Sequence, residues 1–244
     1  MKKFLPIILL VLGIITVVTV FLVVKGKNAK VDDTSVTGGD EEVPEVAIEK
    51  RPVLSLTPSV DGHWLKMDIK KILIDAATLD YELTYKVPDG RTQGVPGTVK
   101  LTTKDDITKD LLMGSESSGK FRYDEGVEGG NLTIRFRDAK GKLVAKFSSD
   151  FELKTNISGS TKLGNVDYKA DKPDSKLYYI TINTVGFLGD APDGEPSNAS
   201  GVFSSSSNLL PGSIESENAY VWYKNAWVKV ENGKTPDLGY FLTY

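Results

Sequence analysis

Two patterns of hydrophobic and polar positions divide the chain. Residues 4–24 are apolar apart from Thr16 and Thr19, with no charged side chain. As a helix, this run of about 21 residues spans roughly 31 Å, the thickness of a bilayer's hydrocarbon core. In lipid a lone segment can satisfy its backbone only as a helix. Pro6 falls in the first turn, where its missing N–H costs little. From Pro52 onward the period becomes two. Leu79, Tyr81, Leu83, Tyr85 and Val87 alternate with Asp80, Glu82, Thr84 and Lys86. Leu65, Met67 and Ile69 alternate with Lys66, Asp68 and Lys70, and Leu132, Ile134 and Phe136 with Thr133, Arg135 and Arg137. Such alternation predicts strands with one face buried and one solvated.

The pattern predicts strands near 53–57, 64–72, 78–87, 95–103, 107–113, 119–123, 131–137 and 142–153, with turn signals every 8–12 residues. Asp138-Ala139-Lys140-Gly141 reads as a hairpin loop and Pro88-Asp89-Gly90 as a turn, each placing Gly where a positive φ is needed. Further runs lie at 166–168, 177–185, 201–203, 220–223, 226–230 and 238–244, with tight turns at Lys224-Asn225 and Asn232-Gly233. Residues 186–211 are rich in Ser, Gly, Pro and Asp and read as a mobile loop.

The expected fold is all-β with one N-terminal transmembrane helix. Residues 1–25 form the anchor and 26–51 a disordered acidic linker. Residues 52–155 form an antiparallel immunoglobulin-like (Ig-like) β-sandwich and 160–244 a second, smaller β unit. One larger sandwich running through both units is the alternative. The apolar run is too long for a signal peptide and ends in Phe21-Leu22-Val23-Val24-Lys25 without a small-x-small cleavage site, which favours an uncleaved anchor. Lys2 and Lys3 before it nearly balance Lys25, Lys27 and Lys30 after it, so the positive-inside rule gives little direction. An apolar run at the extreme N-terminus favours export of the chain downstream of it. The expected location is the cell membrane, single-pass, with the C-terminal region extracytoplasmic.

Charge and composition narrow the chemistry. Without Lys2 and Lys3, 28 basic residues face 33 acidic ones, a surface of about −5 with no basic footprint for nucleic acid. The absence of Cys excludes disulfides, thiol nucleophiles and Cys-based zinc sites. His63 is the only histidine, so any imidazole-dependent triad or metal site would rest on it, and it reads as a strand-entry residue instead. Ser117-x-x-Lys120, Ser216-Glu217-Asn218 and Lys234-Thr235-Pro236 imitate the order of a penicillin-binding set. Gly119 sits where that set needs a helix, and the third motif lacks its glycine. Asp190, Asp193, Gly194 and Glu195 form an acidic loop without EF-hand spacing, and whether the 186–211 loop binds calcium stays open. No catalytic residue, cofactor or metal site is assigned.

Seven of the ten tyrosines and two of the three tryptophans lie in residues 160–244. Tyr220, Trp222, Tyr223 and Trp227 form the candidate binding surface. Neighbours in a strand face opposite ways, so one face of this hairpin either packs on the first β unit or is exposed for a sugar ring or a protein partner.

Pro52-Val53-Leu54-Ser55-Leu56-Thr57-Pro58 and Phe147-Ser148-Ser149-Asp150-Phe151 look like first and last sandwich strands. With the basic start, the apolar run and the acidic tether, the layout resembles uncharacterised single-pass, envelope-anchored Ig-like β-sandwich proteins of small-genome bacteria. That resemblance carries over no functional residue. The expected function is non-catalytic presentation of a binding or adhesion surface, with membrane contact through residues 4–24 and a protein or glycan of the envelope as ligand. A structural subunit of an envelope complex and a carbohydrate-active enzyme are the alternatives.

Overall fold

The alternating runs become strands. In a computed structural model, residues 43–155, 160–163, 166–216 and 218–244 are described. The anchor expected at residues 1–25 and the expected linker up to residue 42 lie outside them. Among the described residues, no helix is long and apolar enough to cross a membrane. The strands are β1 (Val53–Pro58), β2 (Trp64–Lys70), β3 (Thr78–Lys86), β4 (Thr92–Lys100), β5 (Ile107–Leu112), β6 (Gly114–Ser117), β7 (Lys120–Tyr123), β8 (Gly129–Arg137) and β9 (Leu143–Thr155). The chain continues through β10 (Ser160–Leu163), β11 (Val166–Ala170), β12 (Tyr178–Asn183), β13 (Asn198–Ser204), β14 (Gly212–Ile214), β15 (Ala219–Tyr223), β16 (Ala226–Lys229), β17 (Lys234–Thr235) and β18 (Gly239–Thr243). The fold is all-β, and its strands pair antiparallel.

The turns use the residues that the sequence offers. Gly90 and Gly141 take φ of 87° and 81°. Lys224-Asn225 and Asn232-Gly233 carry positive φ at both positions, as two-residue hairpin turns require.

Nine strands form one sheet in the order β16-β15-β18-β13-β12-β9-β8-β3-β4. It is continuous through residues 155–178, because β9 pairs directly with β12 from Tyr178↔Thr155 to Ile182↔Phe151. Two small sheets, β1-β2-β5 and β10-β11-β14-β17, pack on it. Register shows that they cover opposite faces. Leu79, Leu83, Leu132, Ile134, Phe136, Ile180 and Ile182 share one face and meet Leu54, Leu56, Leu65, Met67 and Ile69 of the first small sheet. Tyr179, Val202, Val221 and Phe241 share the other face and meet Val166, Tyr168 and Ile214 of the second.

Two expectations need correction. Residues 186–211, read as a mobile loop, contain β13, a central strand hydrogen-bonded on both sides. Its Asn-Ala-Ser-Gly-Val sequence looks loop-like because both faces are covered and small side chains fit there. The last residues of the linker region also pack. Ile48–Lys50 form a 3₁₀ turn, Val46 packs on the first core, and Arg51 Nε donates to the Val46 carbonyl at 2.7 Å.

Candidate functional site

The aromatic surface predicted from sequence is brought together, and then covered. Trp222 and Trp227 face each other across the β15–β16 hairpin, edge to face, with centroids 5.1 Å apart. The Trp227 indole N–H donates to the Leu188 carbonyl at 2.7 Å, and the Tyr220 hydroxyl donates to Asp193 at 2.7 Å. The hydrogen bond to Asp193 also raises the Tyr220 hydroxyl above its ordinary pKa. A Cβ on Gly189 would lie 3.0 Å from the Trp222 ring. The loop after β12 therefore lies on this face of the hairpin. Tyr220, Phe187, Ala199 and Leu242 form a small core there, with Trp227 packed against it. Tyr223 stands on the opposite face, half-buried, with Lys224 Nζ 5.1 Å from its ring centre.

The other predicted candidates are scattered. His63 stacks on Tyr123 with centroids 4.1 Å apart, and its Nε2 lies 3.9 Å from Glu125. Ser117 ends β6 and Lys120 begins β7, joined by the Ser118-Gly119 turn rather than a helix. Lys234 pairs with Asp171 at 3.1 Å. The Asp193 carboxylate of the acidic loop is engaged by Tyr220. Among the described residues, no group of three or more His, Asp or Glu could hold a metal ion.

Sequence reasoning missed a different feature, a fork in the large sheet. β8 pairs β9 along Leu143 to Glu152, but β12 pairs β9 only from Phe151 to Thr155. Beyond Ile182 the β12 chain leaves β9. Asn183 Oδ1 accepts the Val185 N–H at 2.8 Å, an Asx turn, and Val185 takes φ of 67°, costly for a β-branched residue. Val185 then bridges Val53 of the first small sheet, and Leu54 N–H donates to the Thr184 carbonyl. Glycine is required next. A Cβ on Gly186 would lie 2.6 Å from the Arg51 carbonyl oxygen.

The fork opens a cleft of about 930 Å³. Its lining residues fall into two chemical sets. Ser148, Asp150 and Glu152 alternate on one face of β9, and Thr181, Asn183, Asn198 and Ser200 share that face on β12 and β13. Val43, Val46, Phe147 and Val185 add apolar surface. The polar set is held in place. Asn131 Nδ2 donates to Asp150 at 2.9 Å, and its Oδ1 accepts from Thr133 and Ser148 at 2.8 and 2.9 Å. The Ser149 hydroxyl donates to the Asn183 carbonyl at 2.8 Å.

Two polar atoms in the wall have no partner among the described residues: Asn198 Nδ2 and Ser200 Oγ, the latter on a residue only 7% exposed. An unpaired buried polar group costs about 1–3 kcal/mol, and such groups are uncommon in folded proteins. The signal for this wall was visible as the polar phase of the β9 alternation, but nothing local marks where β12 departs. No protein-family model, no curated protein and no solved structure matches this chain.

Proposed function

We propose that this chain is a non-catalytic binding protein, anchored in the membrane by residues 4–24, whose Ig-like β region presents the cleft at the fork to a ligand outside the cell. The observation that carries the binding role is the pair of unpartnered polar atoms, Asn198 Nδ2 and Ser200 Oγ, in the wall of a large, polar-and-apolar cleft. The volume lies within the range of small-ligand sites, roughly 300–1,000 Å³. The hydrogen-bonded Asn131, Thr133, Ser148 and Asp150 cluster fixes the groups that a ligand would meet, which lowers the entropy lost on binding. The aromatic hairpin supports the same placement by its own engagement with Leu188, Gly189 and Asp193, which leaves less of it for a partner. The envelope setting is supported by the length of the apolar run and by the resemblance in layout.

The full chain in lipid nanodiscs tests the binding role against two probe sets, peptidoglycan glycan strands and nine-residue synthetic peptides. One set should bind, and Ser200→Leu and Asp150→Ala should each weaken binding at least about tenfold. Binding by neither set, or binding indifferent to both substitutions, would overturn the assignment. The lack of native Cys makes the topology directly testable. Lys104→Cys, at an exposed position, should react with a membrane-impermeant maleimide on intact cells. Labelling only after lysis would place the β region inside.

A further inference from the structure

A second surface lies remote from the cleft, on the hairpin that follows β5. Among the described residues, Phe121 and Tyr123 are the exposed aromatic side chains, at 45% and 37%, and both belong to β7. Register puts them on one face of the β6–β7 hairpin, opposite Glu116 and Gly114. Lys120 and Arg122 stand on the other face, opposite Ser117 and Ser115. Val60, 78% exposed, lies in the β1–β2 turn, close in the chain to the His63 ring that stacks on Tyr123. β1 runs from the fork, where Val53 bridges Val185, to this turn, so the cleft and the hairpin lie at opposite ends of it.

The two rings are exposed but held. His63 backs Tyr123 with centroids 4.1 Å apart, and Trp64 meets Phe121 edge-on at 5.7 Å. Rings fixed in this way lose little side-chain freedom on binding. Lys120 and Arg122 form no ion pair among the described residues. Against Glu116 they give the hairpin a net positive charge, whereas the whole chain carries −3.

Resting on the membrane anchor proposed above and not on the cleft, we infer that the β6–β7 hairpin docks on the phospholipid bilayer that holds the anchor. Phe121 and Tyr123 enter the headgroup layer, where aromatic rings accumulate. Lys120 and Arg122 pair with lipid phosphates, their long stems letting the charged ends reach them. Aromatic and basic residues in alternation suit a surface that is apolar beneath and anionic above. The basic residues between the rings match phosphate better than the hydroxyls of a sugar. Nucleic acid offers the same phosphates, but two cations in an acidic chain give no footprint for a polyanion. Docking by this end of β1 would turn the cleft at its other end away from the bilayer and toward solution.

The test uses the full chain with a fluorescent dye on Ser118→Cys, at the exposed tip of the hairpin, in nanodiscs with and without phosphatidylglycerol. A nitroxide on the lipid headgroup should quench this dye at least about threefold more than a dye on Lys104→Cys, in the loop before β5. Phe121→Ser with Tyr123→Ser should remove at least about half of that quenching. Lys120→Gln with Arg122→Gln should lower it mainly in the anionic discs, and this exposed pair keeps the proposal testable if the ring pair unfolds the hairpin. Chains that enter the discs without excess quenching at Ser118 would overturn docking and leave the anchor. A dye shift that follows added glycan strands, or the number of chains per disc, without lipid quenching would overturn it in favour of a sugar or a second copy. Chains that do not enter the discs would remove both readings.

Discussion

The two ends of the nine-stranded sheet bury opposite faces, and the cleft lies between them. At the β3–β4 end, one face packs on β1-β2-β5 while the other carries Asp80, Glu82, Thr133, Arg135 and Arg137. These pair across strands, as in Arg137 with Asp80 at 2.8 Å and Arg135 with Glu82 at 3.2 Å. At the β15–β18 end, the second small sheet covers the opposite face, and the loop after β12 packs on the remaining one. A sheet that changes its buried face along its width must pass through a strand that takes part in both arrangements. β12 is that strand, with Ile180 and Ile182 in the first core and Tyr179 in the second, and the fork forms where it leaves β9. The cleft therefore arises from the layering of the whole sheet rather than from a local motif.

Damage to one core should be felt by the other. Phe136 and Phe241 are each almost fully buried, in the first and second core. Removing such a ring typically costs about 3–5 kcal/mol. Because β9 and β12 join the ends by direct pairing, Phe136→Ala and Phe241→Ala should each shift one shared urea transition to lower denaturant. Tryptophan fluorescence tracks both ends, with Trp64 near one and Trp222 and Trp227 near the other. Two separate transitions would show that the ends fold independently.

Alkali separates the ends next. Burial raises the hydroxyl pKa of Tyr85 in the first core, with a hydrogen bond to Asp124 adding to it. Burial likewise raises Tyr168 and Tyr179 in the second core. Above pH 10 an unfolded tyrosine loses its proton while these keep theirs, so the folded state binds more protons. Stability is therefore intact below about pH 10 and falls above it. A tyrosine that keeps its proton in the fold costs at most about 1.4 kcal/mol of stability by pH 11. Tyr168→Phe with Tyr179→Phe should flatten the alkaline limb more than Tyr85→Phe, as read from urea midpoints at pH 9 and 11. Equal flattening would show that the two cores share one electrostatic environment.

The same contrast explains what the sequence revealed. At the one-sided end, burial alternates cleanly, and the predicted runs at 64–72, 78–87 and 131–137 fall on β2, β3 and β8. At the two-sided end, period two fades. Tyr179, Ile180, Thr181 and Ile182 are all buried, and Asn198 to Ser204 packs small and polar residues into a central strand. Residues 186–211 consequently read as loop. The strands β6, β10, β14 and β17 span two to four residues each, too few to show a period. The aromatic hairpin was legible because its residues are large. The fork was not, because it depends on where Asn183 and Val185 turn the chain toward Val53, a contact across 132 positions.

Ser200 offers a test of the opposite sign. Its hydroxyl is buried without a partner, so Ser200→Ala removes an unsatisfied group and leaves only a small void. The change should stabilise the fold by about 1 kcal/mol while weakening whatever the cleft binds. Thermal melting of the two forms checks the first half. A loss of stability would mean that the hydroxyl serves the fold, and it would remove the main support for the site.

The smallest effect lies in the comparison of two aromatic groups. Trp227 is half-buried and holds the Leu188 carbonyl, whereas Phe121 is 45% exposed on the β6–β7 hairpin, a two-stranded sheet by itself. Trp227→Phe leaves a carbonyl without its donor and should cost about 1 kcal/mol. Phe121 has Tyr123 parallel to it at 6.1 Å and Trp64 edge-on at 5.7 Å. With so much of its ring in water already, Phe121→Ser gives up little burial, and its midpoint in urea should move by less than about 0.5 kcal/mol. A shift as large as that of Trp227→Phe would mean that the hairpin is fastened to the first core through this ring. β6 and β7 would then belong to the wall of that core and not to its periphery.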